Sequence, residues 1–462
     1  MKSDELLTAF RQGLLTIDQV QSGLRSLKST GARQALSQGQ ASLLTLHRMQ
    51  PESSAYNVPM CFRVSGPLNA EWLKIALASA VDRHPSLGNL FREEDGQLFQ
   101  ELHSGTIDVH PGHLDAIDDD ALVQQLMLLT KSPFRLEDEL PLRVHLLSHG
   151  IDKQILLIVF HHIAVDGQSV DSFLSALFNQ YRALADAAPM SATASATSYA
   201  EFVEWEANLM SSEAGSRHLE YWRAQLREPL PVLDLPADHS HPADTGESSK
   251  TVAVPVEQGL FERARGFSAE RRVNQAVLFL AVYQLLLHRY TSQDDVVIGM
   301  PVAGRPHQRF DDVVGYFVRT VAIRGSCDPD MRFDALLQRL QLNVLDALDH
   351  SAYPFPAVVR ELRIPRLPGR SPVFQAEFVY QSRSIFQRCS FDLGQGMTAT
   401  EMPGVHQEGE YEFVLEVREH QHACKLNFKY DARRFEAATV ARMARHYLNL
   451  LESVIADPQR GQ

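Results

Sequence analysis

Residues 154–160, QILLIVF, constrain the fold more than any other stretch. Nearly every side chain is β-branched or bulky and apolar, so no polar face is left, and the segment reads as a strand buried on both faces. His161 and His162 follow at once, then Ile163, Ala164, Val165, Asp166 and Gly167. Beyond them Val170, Phe173, Leu174, Leu177, Phe178 and Tyr181 recur at helical spacing. The histidines and Asp166 therefore sit on a tight strand-to-helix connection, a rigid support for an exposed reactive side chain. Adjacent side chains on extended backbone point to opposite sides, so one histidine must face the core and the other an open space. An aspartate four residues on can turn back and hold the loop if it meets a cation, and Gly167 permits a bend or a close approach to a ligand. A lone histidine here is most often a satisfied core residue, and a lone aspartate a helix cap. The whole His-His-x-x-x-Asp-Gly string behind a strand points instead to a site.

The rest of the composition narrows the classes of function. Net charge is −13, from 57 acidic against 44 basic residues, which argues against nucleic acid as the main partner. Cys61, Cys327, Cys389 and Cys424 are far apart with no C-x-x-C spacing. That usage suggests a reducing cytoplasm, with neither a disulfide framework nor a zinc or other metal site. The opening MKSDELLTAF is too polar for a signal peptide, and no apolar run approaches membrane length, so no membrane partner is expected.

At 462 residues the chain exceeds an ordinary single domain and suggests two large lobes. Residues 1–33, with leucines at helical spacing, read as a helical linker or docking element, or as a packing appendage. Residues 34–184 read as a first lobe: strand 57–64, helix 69–84, a hairpin turning at Asp95-Gly96, helix 118–131, strand 141–148 and the histidine strand. An Ala/Ser/Thr segment at 185–197 marks the crossing to a second lobe, 185–462. There a largely helical stretch, 198–226, precedes a polar loop and strand 251–255. Helices 257–268 and 272–290 follow, then strands at 295–302 and 318–324, helix 331–347, strands at 373–381, 411–418 and 424–430, and an amphipathic helix 435–455. Both lobes mix helices with strands, so the fold class is α/β in two similar lobes.

The histidine string resembles that of the condensation domains of nonribosomal peptide synthetases, including hybrid polyketide–peptide synthetases. The likeness runs from about residue 35 to the end. Ser37-Gln38-Gly39-Gln40 resembles an opening Ser-x-Ala-Gln motif, with glycine for alanine. Arg83-His84 to Phe91 resembles Arg-His-Glu-x-Leu-Arg-Thr-x-Phe, from which Pro85, Gly88 and Asn89 depart. YAEFVEW from Tyr199 and RYTSQDDVVIGMPVAGR ending at Arg305 are similar to later motifs. Val314 to Thr320 resembles V-G-x-F-V-N-T, with Arg319 where asparagine is usual. Tyr353-Pro354-Phe355 and Arg370-Ser371-Pro372-Val373-Phe374 resemble the last two. Each motif alone is weak; their order and spacing together are specific.

The resemblance implies two chloramphenicol acetyltransferase-like lobes in a V-shaped pseudo-dimer with a central tunnel. It implies donor and acceptor carrier proteins, each presenting a thioester on its own 4′-phosphopantetheine, and no cofactor bound by this chain. An acceptor amine or hydroxyl attacks the donor thioester. His162 is then expected to face the reaction as general base. His161 is expected to face the core, and Asp166 to hold geometry through a salt bridge to Arg305. Gly167 is expected to offer a backbone N–H to the developing oxyanion. Ser169 and Arg319 are expected to contact substrate, Arg319 through an anionic group or, failing that, as a solvated surface residue. The chain is expected to act as a monomer or as part of a multidomain synthase. Competing readings are an epimerisation domain, a coenzyme A-dependent acyltransferase and a degenerate domain that only binds carriers.

Overall fold

A computed structural model describes residue 9 and residues 33–459, except 104–106, 116–117, 150–152, 190–196, 241–248, 329–330, 366–369, 383–389, 403, 406–410 and 421–422. The helices expected within residues 1–33 lie outside the described residues but for Ala9 and Arg33, and so does Cys389. Among the described residues no helix is long and apolar enough to cross a membrane.

The chain forms two compact units, each built on a six-stranded sheet. The first comprises Met1–Ala207, Arg305–Phe317 and Phe386–Gln407; the second comprises Asn208–Gly304, Val318–Ile385 and Glu408–Gln462. This differs from a single cut between residues 184 and 185. The helix Tyr199–Met210 falls mostly within the first unit, and two later segments return to it. The physical reason is local to each. Arg305 pairs with Asp166, and the hairpin of strands Ser390–Gly394 and Met397–Glu401 adds to the first sheet through Ala399 opposite Val64.

In the first unit the histidine strand, Gln154–His161, lies between Asn57–Val64 and Leu142–Ser148, antiparallel to both. Asn57 stands opposite His161, and Leu142 opposite Phe160. Every residue from Ile155 to His161 is buried, as a strand covered on both faces requires. Phe62, Phe178 and Phe391 pack ring against ring, tying a central strand, the helix Gly167–Ala185 and the late hairpin into one core. The edge strand Val109–His113 has the sequence VHPGH. Its proline and glycine hide it from pattern reading and are tolerated because it is an edge. The hairpin at Asp95-Gly96 forms as expected, with both residues at positive φ (51° and 78°), which matches the right-handed twist of its strands.

The second unit has sheet order Arg319–Ser326, Asp295–Val302, Ala376–Gln381, Phe413–His420, Ala423–Asp431, Ser249–Val256. The largely apolar helix Gln275–Thr291 and the amphipathic Ala437–Ala456 belong to its core. The stretch expected to be largely helical, 198–226, holds two helices, Tyr199–Met210 and Glu213–Gln225. Ser212 breaks it by capping the second, its Oγ accepting from Gly215 N at 3.1 Å.

Candidate active site

The site is built at the end of the histidine strand. After His161 the chain makes one turn of 3₁₀ helix, His162–Ala164, and then enters the helix Gly167–Ala185. Asp166 caps that helix, its Oδ1 accepting from Ser169 N at 2.7 Å.

The structure places the two histidines in different surroundings. His161 is 2% exposed and meets His47 and Phe134 edge-on, at 5.5 and 5.7 Å between ring centroids. Its Nδ1 accepts the Ile163 N–H at 3.2 Å, so that nitrogen carries no proton. Burial holds its pKa well below the ordinary value, with His47, His162 and Arg143 pushing the same way. His162 is half-buried. Its Nδ1 lies 2.7 Å from Val165 O, and a carbonyl can only accept, so Nδ1 carries the proton. The unprotonated nitrogen of the neutral ring is therefore Nε2, the atom suited to take a proton. Burial lowers the His162 pKa, while the bond to Val165 and the charge of Asp166 work against the shift.

Asp166 is spent on structure. Arg305 grips it with a two-pronged contact, Nη1 to Oδ2 at 2.6 Å and Nη2 to Oδ1 at 3.1 Å, with both side chains only 5% exposed. Arg305 also donates to Phe310 O, Val313 O and Ser169 Oγ, and its guanidinium sits 4.2 Å over the Phe317 ring. Ser169 is fully buried, which corrects the expectation of substrate contact. Its hydroxyl donates to Gly315 O at 2.9 Å and accepts from Gly315 N at 3.0 Å and from Arg305. Gly167 opens the helix and is half-buried. Gln168 reaches Asp311 O at 3.1 Å.

Arg319 belongs to the second unit, on the strand Arg319–Ser326 opposite Val302. At 5% exposure it is buried, so the solvated-surface alternative falls.

Several residues that the motifs contained carry roles which pattern reading did not assign. Ser37 caps the helix Gln38–Met49 in a reciprocal box with Gln40. Gln40 Nε2 then donates to Ile163 O at 3.1 Å, which holds the turn that bears His162. Glu206, 2% exposed, accepts from Gln38 N at 2.6 Å at the same helix start, where a carboxylate suits the helix dipole. The Tyr199 hydroxyl donates to Tyr316 O at 2.7 Å, so Ser37 Oγ is the donor in its 3.0 Å contact with Tyr199. Ser86 Oγ donates to Val314 O at 2.7 Å. The signal was present for all but Glu206, which directly follows YAEFVEW; the others lie in quoted motifs. The partners, mostly more than a hundred residues away, were not visible.

Among the described residues no group of three or more His, Cys, Asp or Glu side chains is arranged to hold a metal ion.

The condensation domain family model matches residues 32–462. This chain belongs to the condensation domain family. Polyketide synthase PksN of Bacillus subtilis (strain 168) is 35% identical over 439 residues, covering 94% of this chain and 8% of that protein. Tyrocidine synthase 3 of Brevibacillus parabrevis is 28% identical over 423 residues, covering 91% of this chain and 6% of that protein. The chain thus spans less than a tenth of the length of these two relatives. Among solved structures, the X-domain from teicoplanin biosynthesis superposes with a TM-score of 0.84 at 23% identity, over 94% of this chain and 97% of that one. The condensation domain from the Monacolin K polyketide synthase MokA gives 0.79 at 19% identity, over 94% and 100%. The fold of this condensation domain is therefore that of its family.

Two predictions follow from the geometry. Asp166→Ala leaves the Arg305 guanidinium buried and unpaired, so a loss of about 3–5 kcal/mol is expected. Thermal melting should show it as a clear fall in midpoint, and a mutant that melts like the parent contradicts the structural role. The second concerns pH. Burial holds His84 down to about 4, and His161 also lies below its ordinary value. Between pH 6.5 and about 4 the unfolded chain therefore binds more protons than the folded one at these positions. Their contribution to stability is complete above pH 6.5 and is lost as pH falls toward 4. Urea melts across that window should weaken with acid, and His84→Phe should flatten the slope.

Proposed function

We propose that this condensation domain catalyses acyl transfer between carrier proteins, in the cytoplasm and within nonribosomal peptide or hybrid polyketide biosynthesis. The observation that carries the reading is the tautomer of His162. Val165 O fixes the proton on Nδ1, and Nε2 of a half-buried, neutral ring is left as the acceptor. A donor carrier presents an acyl or peptidyl thioester on 4′-phosphopantetheine, and an acceptor carrier presents an amine or hydroxyl.

The chemistry needs modest help. A free α-amine has a pKa near 8, so roughly one in ten molecules is neutral at pH 7. Its nitrogen attacks the thioester carbonyl, a C–N bond forms, and the C–S bond breaks. The proton lost by nitrogen passes to His162 Nε2 and from there to the departing thiolate. General-base assistance of this kind is worth ~10²–10⁴-fold, and fixing the two carriers' arms contributes through positioning. A hydroxyl acceptor depends on the base more strongly. The N-terminal turn of the helix Gly167–Ala185 offers the Gly167 N–H for the developing oxyanion.

The test is intact-protein mass spectrometry of loaded donor and acceptor carriers with and without the domain. Transfer to the acceptor carrier is expected. His162→Ala should keep the melting temperature and lose about 10²–10⁴-fold in rate. Carrier binding without product supports the carrier-binding reading instead, and equal turnover of free coenzyme A thioesters supports the coenzyme A-dependent one.

For Arg319 the proposed role is to meet an anionic group, either the arm's phosphate or a carboxylate on the acceptor. Arg319→Asn should then raise KM for one carrier or acceptor. Unchanged KM across acceptors with and without a carboxylate rejects that role.

A further inference from the structure

Tyr316 touches His162, and its place depends on Gly39. The Tyr316 and His162 rings meet nearly perpendicular, at 87°, with centroids 5.3 Å apart. A Cβ added to Gly39 would lie 2.6 Å from Tyr316 Cε1 and 2.9 Å from Cδ1, well inside contact distance. The ring therefore occupies the space that a side chain at residue 39 would take.

The backbone that carries this ring cannot easily move to relieve such a clash. Ser169 Oγ binds both Gly315 N and Gly315 O, and the Tyr199 hydroxyl binds Tyr316 O. A Cβ on Gly315 would lie 2.0 Å from the Tyr199 ring, so that segment is closely packed as well. On the other side, Gly39 lies in the first turn of the helix Gln38–Met49. Its neighbour Gln40 holds the carbonyl of Ile163, the residue after His162. Helix start, tyrosine and histidine turn are thus fixed relative to one another.

We propose that Tyr316, seated on Gly39, is a positioning residue that fixes the plane of the His162 ring and limits how an acceptor nucleophile reaches its Nε2. This rests on His162 being the base. The ring is held at two places: Nδ1 by Val165 O, and one side by Tyr316. The Nδ1 bond alone leaves the ring able to tilt about that axis. The Tyr316 ring removes that freedom and keeps water from that side. His161 precedes the ring, and Asp166 is the charged group whose field reaches it.

The experiment uses the whole chain and two independent readouts. The first follows the His162 ring by NMR through a pH titration, which needs no activity. Tyr316→Leu and Tyr316→Ala should raise the His162 midpoint toward the ordinary ~6.5, because water regains the ring. Gly39→Ala, which displaces the tyrosine, should move it the same way. The second readout is transfer between loaded carriers. Gly39→Ala should lower kcat by about tenfold or more, in line with the cost of an ångström-scale misplacement, with KM for the acceptor carrier within about twofold. Gly39→Ala combined with Tyr316→Ala should lose no more than Tyr316→Ala alone, since the clash is then absent. Additive losses in the double variant, or an unmoved His162 midpoint in both Tyr316 variants, overturn the proposal. If Gly39→Ala does not fold, Tyr316→Leu decides it through the same two readouts. A wild-type domain without transfer activity removes the general-base reading, and the NMR titration still reports whether Tyr316 governs the His162 ring.

Discussion

The Asp166–Arg305 pair is the interaction on which the first unit's site depends. Placing two charges at 5% exposure is costly, and the attraction between them offsets that only when the remaining donors and acceptors are also satisfied. That condition shapes the surrounding chain. Arg305 takes carbonyls from Phe310 and Val313, so residues 305–317 must wrap around its side chain. Asp166 takes the Ser169 amide, so the helix must begin where it does. Ser169 then carries the order on to Gly315, and Tyr199 to Tyr316. A contact between residues 139 apart in sequence thereby sets the backbone beside His162.

The paired histidines show how neighbours of one chemical type acquire opposite tasks. Each uses Nδ1 locally, but with opposite sense: at His161 it accepts an amide proton, and at His162 it donates to a carbonyl. The first leaves a neutral ring sealed among aromatic side chains. The second leaves a basic nitrogen on a ring that is partly open. Burial favours the neutral form of both, which suits one to packing and the other to proton transfer at neutral pH. Exchanging their roles would need a change of backbone, not of residue type.

The order of local elements was legible because local patterns carry it. The unbroken apolar run before His161 demanded a covered strand, and the helical spacing after Asp166 demanded a helix starting there. The hairpin at Asp95-Gly96 was legible from two residues that tolerate positive φ. The strand Val109–His113 was not, because VHPGH contradicts strand propensity and survives only at an edge. The hairpin of Ser390–Gly394 and Met397–Glu401 was not read either, and its place in the sheet could not be, because the strand it joins, Asn57–Val64, lies more than three hundred residues earlier.

By itself the sequence determined which segments are strands and helices around the site. It also determined that two histidines and an aspartate stand at one strand end, and, through its motifs, which family the chain belongs to. Tertiary structure alone decided what each polar group is spent on. Ser169 looks like a residue open to substrate until its hydroxyl is found clasping Gly315 and Arg305. Arg319 reads equally as a substrate contact or a solvated surface cation until its burial removes the second. Gly39 looks like a neutral exchange for alanine until the Tyr316 ring is found in the space a Cβ needs. The physical reason is common to all three. Periodicity records which face of an element is apolar, whereas a hydrogen bond or a van der Waals contact is a property of two segments, and their meeting is set by the packing of the whole unit.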